Sequence, residues 1–179
     1  MSSHLKPPVN EKDHSEGTAE ATIELVEYGD YQCPHCGAAY PVIKKIQERF
    51  APQIRFVFRN FPLAEIHPFA VDAAIAAEAA AMQRKFWEMH DMIFENQASL
   101  GTGGLKKMAA AIGLDMEIFE SDLRLEVLQA KVEADFESGV RSGVNGTPSF
   151  FINGNKFDGG AKDLYNMLLE TSGQTLPKH

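Results

Sequence analysis

Apolar Ile23, Leu25, Val26 and Tyr28 are interspersed with polar residues from Thr22 to Tyr28, in the order Thr-Ile-Glu-Leu-Val-Glu-Tyr, and Gly29-Asp30 follow at once. A β-branched and aromatic run bounded by turn residues predicts a strand that ends at that pair. From Pro34 the period changes. Val42, Ile46 and Phe50 recur at i, i+4 and i+8, the spacing of one helix face, and are expected to pack on a sheet. Pro41 lies inside this helix and is expected to kink it by removing an internal N–H. Ile54 to Phe61 predicts a second strand, closed by Pro62.

Four helical segments then follow with no strand signal between them. Pro68 to Gln83 is rich in alanine; Lys85 to Gln97 places Phe86, His90 and Ile93 on one side; Leu105 to Ile112 is short. Met116 to Gly139 is read as one helix, with Leu128, Val132, Phe136 and Val140 four apart. Strand character returns at Ser149 to Ile152. Asn153-Gly154 then signals a hairpin into Lys156 to Asp158, and the flexible Gly159-Gly160 pair precedes a last helix from Lys162 to Glu170. The order β, α, β, helical block, β, β, α predicts a small mixed sheet interrupted by a helical insertion. No internal repeat is visible.

With 179 residues, 44% of them hydrophobic, the chain can bury one sizeable core. The net charge of -8 argues against electrostatic attraction to nucleic acid or to an anionic membrane surface. Eight acids against two bases between Asp115 and Glu137 are expected to form a solvated helix face. No stretch approaches the roughly 18 consecutive apolar residues of a membrane span. The first twenty residues are charged throughout, with two prolines and no apolar run of a secretory signal. As written, the chain is expected in the cytoplasm; a truncated N-terminus would place it in the periplasm or another extracytoplasmic space.

The two cysteines, Cys33 and Cys36, stand two residues apart, too close for their loop to stabilise a fold by restricting the unfolded chain. Chemistry explains them better. Zinc is the competing reading, since Cys-x-x-Cys supplies half of a four-ligand set. The histidines outside the pair, His4, His14, His67, His90 and His179, are scattered singly and do not supply the other half. A Cys-x-x-Cys at a strand-to-helix junction reads instead as a redox pair. Pro34 suits the first helical position, which puts Cys33 at the N-cap. There its sulfur is expected to be exposed and to accept from the N–H groups of His35 and Cys36 at the positive end of the helix dipole.

Four segments resemble the DsbA-like branch of the thioredoxin superfamily, in family order: Val26-Glu27-Tyr28-Gly29-Asp30-Tyr31-Gln32 before Cys33-Pro34-His35-Cys36; Phe58 to Leu63; Phe86 to Asp91; and Gly146-Thr147-Pro148-Ser149-Phe150-Phe151-Ile152-Asn153-Gly154. The resemblance spans about Thr22 to Gly160 and includes the family dipeptide, here Pro34-His35. It implies an α/β thioredoxin-like fold with a helical insertion between the second strand and the cis-proline hairpin. The corresponding division is 1–21 as a polar extension, 22–62 and 144–173 as the thioredoxin-like core, 63–143 as the inserted helical subdomain, and 174–179 as a tail.

The resemblance also implies roles. Cys33 is the nucleophile and Cys36 the shielded resolving thiol, with His35 a ring that can be cationic beside the thiolate. Glu27 is implied as a buried acid beneath the cysteines and a proton relay for Cys36, and Ile23, Leu25 and Glu27 fall on one strand face. Thr147 and Pro148 are implied as the cis X-Pro pair beside the cysteines, where the backbone of Thr147 can pair with an extended substrate. His67, His90 and Trp87 read instead as a helix cap, a packing histidine and a core aromatic. The expected activity is disulfide exchange with cysteine-containing proteins, peptides or small thiols, with a thiol or disulfide partner recycling the pair and no cofactor beyond it. A redox-switched peptide-binding protein or chaperone, and a glutathione-linked transferase or isomerase, are the alternatives; relatives of the last kind usually lack the second cysteine.

Overall fold

The computed structural model describes residues 3–173. The tail expected over 174–179 lies outside the described residues. A five-stranded sheet has the order β1-β3-β2-β4-β5, with β1 at His14–Glu16, β2 at Ile23–Gly29, β3 at Ile54–Asn60, β4 at Ser149–Ile152 and β5 at Asn155–Phe157. Only β2 and β3 run parallel, joined by helix α1 (Pro34–Phe50); the other pairings are antiparallel. Between β3 and β4 lie α2 (Ala70–Met82), α3 (Phe86–Glu95), a 3-10 turn at Gln97–Ser99, α4 (Thr102–Ala111), α5 (Met116–Asp122) and α6 (Glu126–Arg141), and α7 (Ala161–Thr171) closes the described chain. The mixed sheet and helical insertion read from the sequence are present.

Alternation along β2 divides the core. Leu25 joins Phe56, Phe58, the inner side of α1, α7 and the inserted helices in one cluster, while Val26 and Tyr28 face a smaller one with Val57, Phe61 and Phe151. Glu27 follows the period of Leu25, so its carboxyl is carried under the start of α1. Asn153 and Gly154 both have positive φ, 46° and 82°, which matches the twist a two-residue hairpin needs.

Several expectations are corrected. The buried side of α1 is Cys36, Ala39, Ile43, Ile46 and Phe50, with Val42 only half-buried against the core. The single helix expected over 116–139 is two. In one continuous helix Phe119 and Leu128, nine residues apart, would point in directions about 180° apart. The extended backbone of Leu125 breaks the path, and both side chains are buried. Val140 is exposed. Asp135, expected on a solvated face, is buried and accepts from Asn60 N at 3.1 Å, Asn60 Nδ2 at 2.9 Å and Lys131 Nζ at 2.6 Å.

The polar N-terminal segment is built into the fold. It supplies edge strand β1, pairing His14 with Phe58 and Glu16 with Phe56, and it buries Leu5, whose N–H donates to Gly154 O at 2.8 Å.

Candidate active site

The chain leaves β2 through a tight turn: Cys33 N donates to Asp30 O at 3.1 Å, and Gln32 N donates to Asp30 Oδ1 at 2.8 Å. Pro34 opens α1 and Cys33 occupies its N-cap with extended backbone. Both cysteines are free thiols. Cys36 is fully buried, and Cys33, expected at an exposed helix end, keeps only 4% of its surface while Pro34 and His35 are exposed. The cover comes from the segment before β4. Tyr28 pairs with Ser149 across β2 and β4, so Thr147 and Pro148 fall beside the turn. Cys33 Sγ lies 3.7 Å from Thr147 O, and the Thr147–Pro148 bond is cis. Thr147 Oγ1 is buried without a hydrogen-bond partner.

The two sulfurs are electrostatically unlike. The Cys36 thiol, as a hydrogen-bond donor, is the main reason the Cys33 pKa falls to about 5; the backbone N–H groups of Cys36 and His35 add to it and burial opposes it. The expected cap is thus weaker than drawn from sequence: the Cys33 side chain makes no N-cap hydrogen bond, and the nearby N–H groups act on the thiolate. Cys36 is pushed far up, first by that same bond to Cys33, then by burial and by the charge of Glu27, although Asp30 N donates to its sulfur at 3.5 Å. Glu27 is buried. Burial, and then the charge of Cys33, raise its carboxyl to about 8. The structure thus brings Glu27, Cys33, Pro34, Cys36, Thr147 and Pro148 together, and leaves the His35 ring facing solvent with no hydrogen bond among the described residues.

From sequence, Asp30 is expected only as a turn residue. Its buried carboxylate accepts from Gln32 N, from Leu63 N at 2.9 Å and from His67 Nδ1 at 2.7 Å. His67, expected as a helix cap, is therefore the partner of Asp30 and ties the loop after β3 to the turn that carries Cys33. The sequence signal for Asp30 was present, an Asx residue two before Gln32; its distant partners had none. His90 and Trp87 pack as expected among the rings of Phe56, Phe58 and Phe86, and His90 Nδ1 is 2.9 Å from Tyr31 Oη. Among the described residues no group of three or more His, Cys, Asp or Glu is placed to hold a metal, and no helix is long and apolar enough to cross a membrane.

The thioredoxin family model matches residues 9–170. The chain belongs to this family. Its solved structural neighbours, DsbA proteins among them, share its fold. Bacillus subtilis BdbD in its oxidised form aligns over 96% of this chain and 95% of its own at TM-score 0.81 and 25% identity. The thiol-disulfide exchange protein α-DsbA2 of Wolbachia pipientis shares the fold over 92% and 87% of the two chains at TM-score 0.80 and 21% identity. In sequence, a Na(+)/H(+) antiporter NhaA 1 of Salinispora arenicola is 40% identical over 156 residues, which are 87% of this chain and 24% of the relative. The chain spans about a quarter of the length of the curated relatives it matches, and the antiport named for them is not carried over to it.

Proposed function

We propose that the chain is a thiol-disulfide oxidoreductase that exchanges disulfides with cysteine-containing proteins, peptides or small thiols through Cys33-Pro34-His35-Cys36. One observation carries this reading: two free thiols stand at a single helix end, Cys33 at the N-cap with its pKa lowered to about 5 and Cys36 fully buried with its thiol pushed up. Acting as reductant, the Cys33 thiolate attacks a substrate disulfide, forms a mixed disulfide and expels one substrate thiolate. Cys36 then loses its proton to the Glu27 carboxylate and attacks Cys33 Sγ. The Cys33–Cys36 disulfide forms, and the second substrate sulfur leaves as a thiolate with both electrons. The reverse sequence oxidises a dithiol.

Thr147 offers its backbone to an extended substrate beside Cys33, Pro148 shapes that edge, and His35 stands at the open rim. Whatever favours the thiolate stabilises the reduced form, so the pair is a stronger oxidant than a reductase-type thioredoxin. Compartment sets the direction: a reducing one keeps the dithiol, an oxidising one the disulfide, with a thiol or disulfide partner to recycle it.

A glutathione titration and a turnover assay on a protein disulfide, each run beside Cys33→Ser, test this reading. The wild type is expected to equilibrate about 30 to 100 mV above the roughly -270 mV of thioredoxin, and Cys33→Ser to be inactive. Absence of turnover by the wild type would remove the oxidoreductase reading in favour of binding alone, and undiminished turnover by Cys33→Ser would remove Cys33 as the nucleophile.

A further inference from the structure

Gln97 sits in the 3-10 turn that follows α3, and its Nε2 donates to the carbonyl oxygens of both Tyr31, at 2.9 Å, and Cys33, at 3.0 Å. Both hydrogens of one amide are thus committed to the turn that carries the redox sulfur. The Cys33 carbonyl also accepts from Gly37 N at 3.0 Å, as the first turn of α1 requires. Gly37 does something more. A Cβ at that position would overlap Gln97 Oε1 and lie 2.7 Å from Gln97 Cδ. The backbone of Gly37 is ordinary helix, where glycine costs helix stability relative to alanine. Space for Gln97, and not a special φ, is what this glycine supplies.

We propose that Gln97 is a positioning residue for the redox pair: it holds the Tyr31–Cys33 turn and offsets the negative ends of its two carbonyls, so that the thiolate of Cys33 is favoured, with Gly37 leaving the room. The physical basis is that a carbonyl oxygen without a donor opposes a nearby anion, and a fixed N–H removes part of that opposition. Gln97 belongs to the inserted helical region, so the insertion reaches into the chemistry through one side chain. This inference rests on the redox reading of Cys33 and Cys36.

Gln97→Met keeps the length of the side chain and deletes both donors. The test is the glutathione equilibrium of the purified chain, together with the pH dependence of Cys33 alkylation. The variant is expected to oxidise glutathione about fivefold less favourably, which at 29.6 mV per tenfold is about 20 mV. The midpoint of Cys33 alkylation is expected to rise by about 0.7 pH unit, the same fivefold factor. Cys36 and Glu27, the ionisable groups coupled to Cys33, are unchanged in these variants.

Gly37→Ala supplies an independent arm: it is expected to shift both readouts in the same direction with Gln97 present, and to add no further shift to that of Gln97→Ala, which already lacks both donors and vacates the space. Unmoved values in Gln97→Met, or an equal effect of Gly37→Ala with and without Gln97, would overturn the proposal while leaving the redox reading intact. A wild type that does not exchange with glutathione would sink the redox reading, and this inference with it.

Discussion

The carboxylate of Asp13 closes on the guanidinium of Arg59 at two points, Oδ1 to Nε and Oδ2 to Nη2, each at 2.8 Å, with both side chains almost wholly removed from solvent. Arg59 also donates to Pro7 O at 3.0 Å and to Tyr28 Oη at 2.9 Å, so the N-terminal segment is fastened to β3 from the back of the sheet. Its role is structural.

Asp13→Asn is therefore expected to lower unfolding stability by about 3 kcal/mol, because the Arg59 charge stays buried while its counter-charge is gone. Denaturant unfolding measures this. A loss below about 1 kcal/mol, the scale of an exposed pair, would show that the N-terminal segment is only loosely attached.

How much of this could be read from the chain follows the same physics. β2, β3, the Asn153-Gly154 hairpin and the junction at Cys33 were legible because each has a local signal: alternation, a positive-φ turn, or proline at a helix start. The alternation even placed Glu27 correctly with Leu25. β1 was not legible. Its three residues, His14-Ser15-Glu16, are polar and lie on an edge, and what holds the segment, Asp13 to Arg59, spans 46 positions. The break between α5 and α6 was hidden for a related reason: the local period fits one helix, and only the need to bury both Phe119 and Leu128 divides it. At the site, residue types revealed the sulfurs, but the cover over Cys33, the Asp30–His67 contact and the Gln97 clamp are long-range.

The unequal sulfurs predict an unequal chemistry. In the reduced protein iodoacetamide is expected to modify Cys33 first, with a rate that levels off above pH 5 to 6, since its thiolate dominates there. Cys36→Ala removes the donor that most lowers the Cys33 pKa, so the midpoint of alkylation should rise; in Cys36→Ser, which keeps a hydroxyl donor, attack survives and resolution does not, so mixed disulfides through Cys33 should accumulate. Mass spectrometry after limited labelling checks both. Cys36 labelled ahead of Cys33 at neutral pH would reverse the assignment.

In the proposed reaction Glu27 is expected to act after the mixed disulfide has formed. Cys36 is buried and its thiol is pushed up, so it needs a base within the core, and Glu27 with a carboxyl near 8 is the buried acid coupled to it. Glu27→Gln is expected to keep the Cys33 thiolate and slow release of the mixed disulfide about tenfold or more near neutral pH. Stopped-flow decay of a fluorescent mixed disulfide reads the step directly. Equal decay from pH 6 to 9 would reduce Glu27 to a buried polar residue without a part in the transfer.

The same two groups give the reduced protein a pH dependence of stability whose sign can be worked out. Cys33 falls from 9.0 to about 5 on folding, so between those values the folded chain holds fewer protons than the unfolded one, and stability rises with pH. That contribution is complete above 9 and is lost as pH falls through 5. Glu27 does the opposite. Its carboxyl rises from 4.5 to about 8, so in that window the folded chain holds more protons, and stability falls as pH rises. From pH 5 to 8 the slopes have opposite sign and similar size, and for these two groups the reduced wild type is expected to be nearly flat. Glu27→Gln removes the falling limb, and its stability should climb by about 1 kcal/mol per pH unit over that range. Cys33→Ser removes the rising limb and should decline, since burial, the main cause of the Glu27 shift, remains. Urea unfolding of the three reduced proteins at pH 5, 6.5 and 8 decides the matter: parallel profiles for all three would mean that neither group carries its assigned shift.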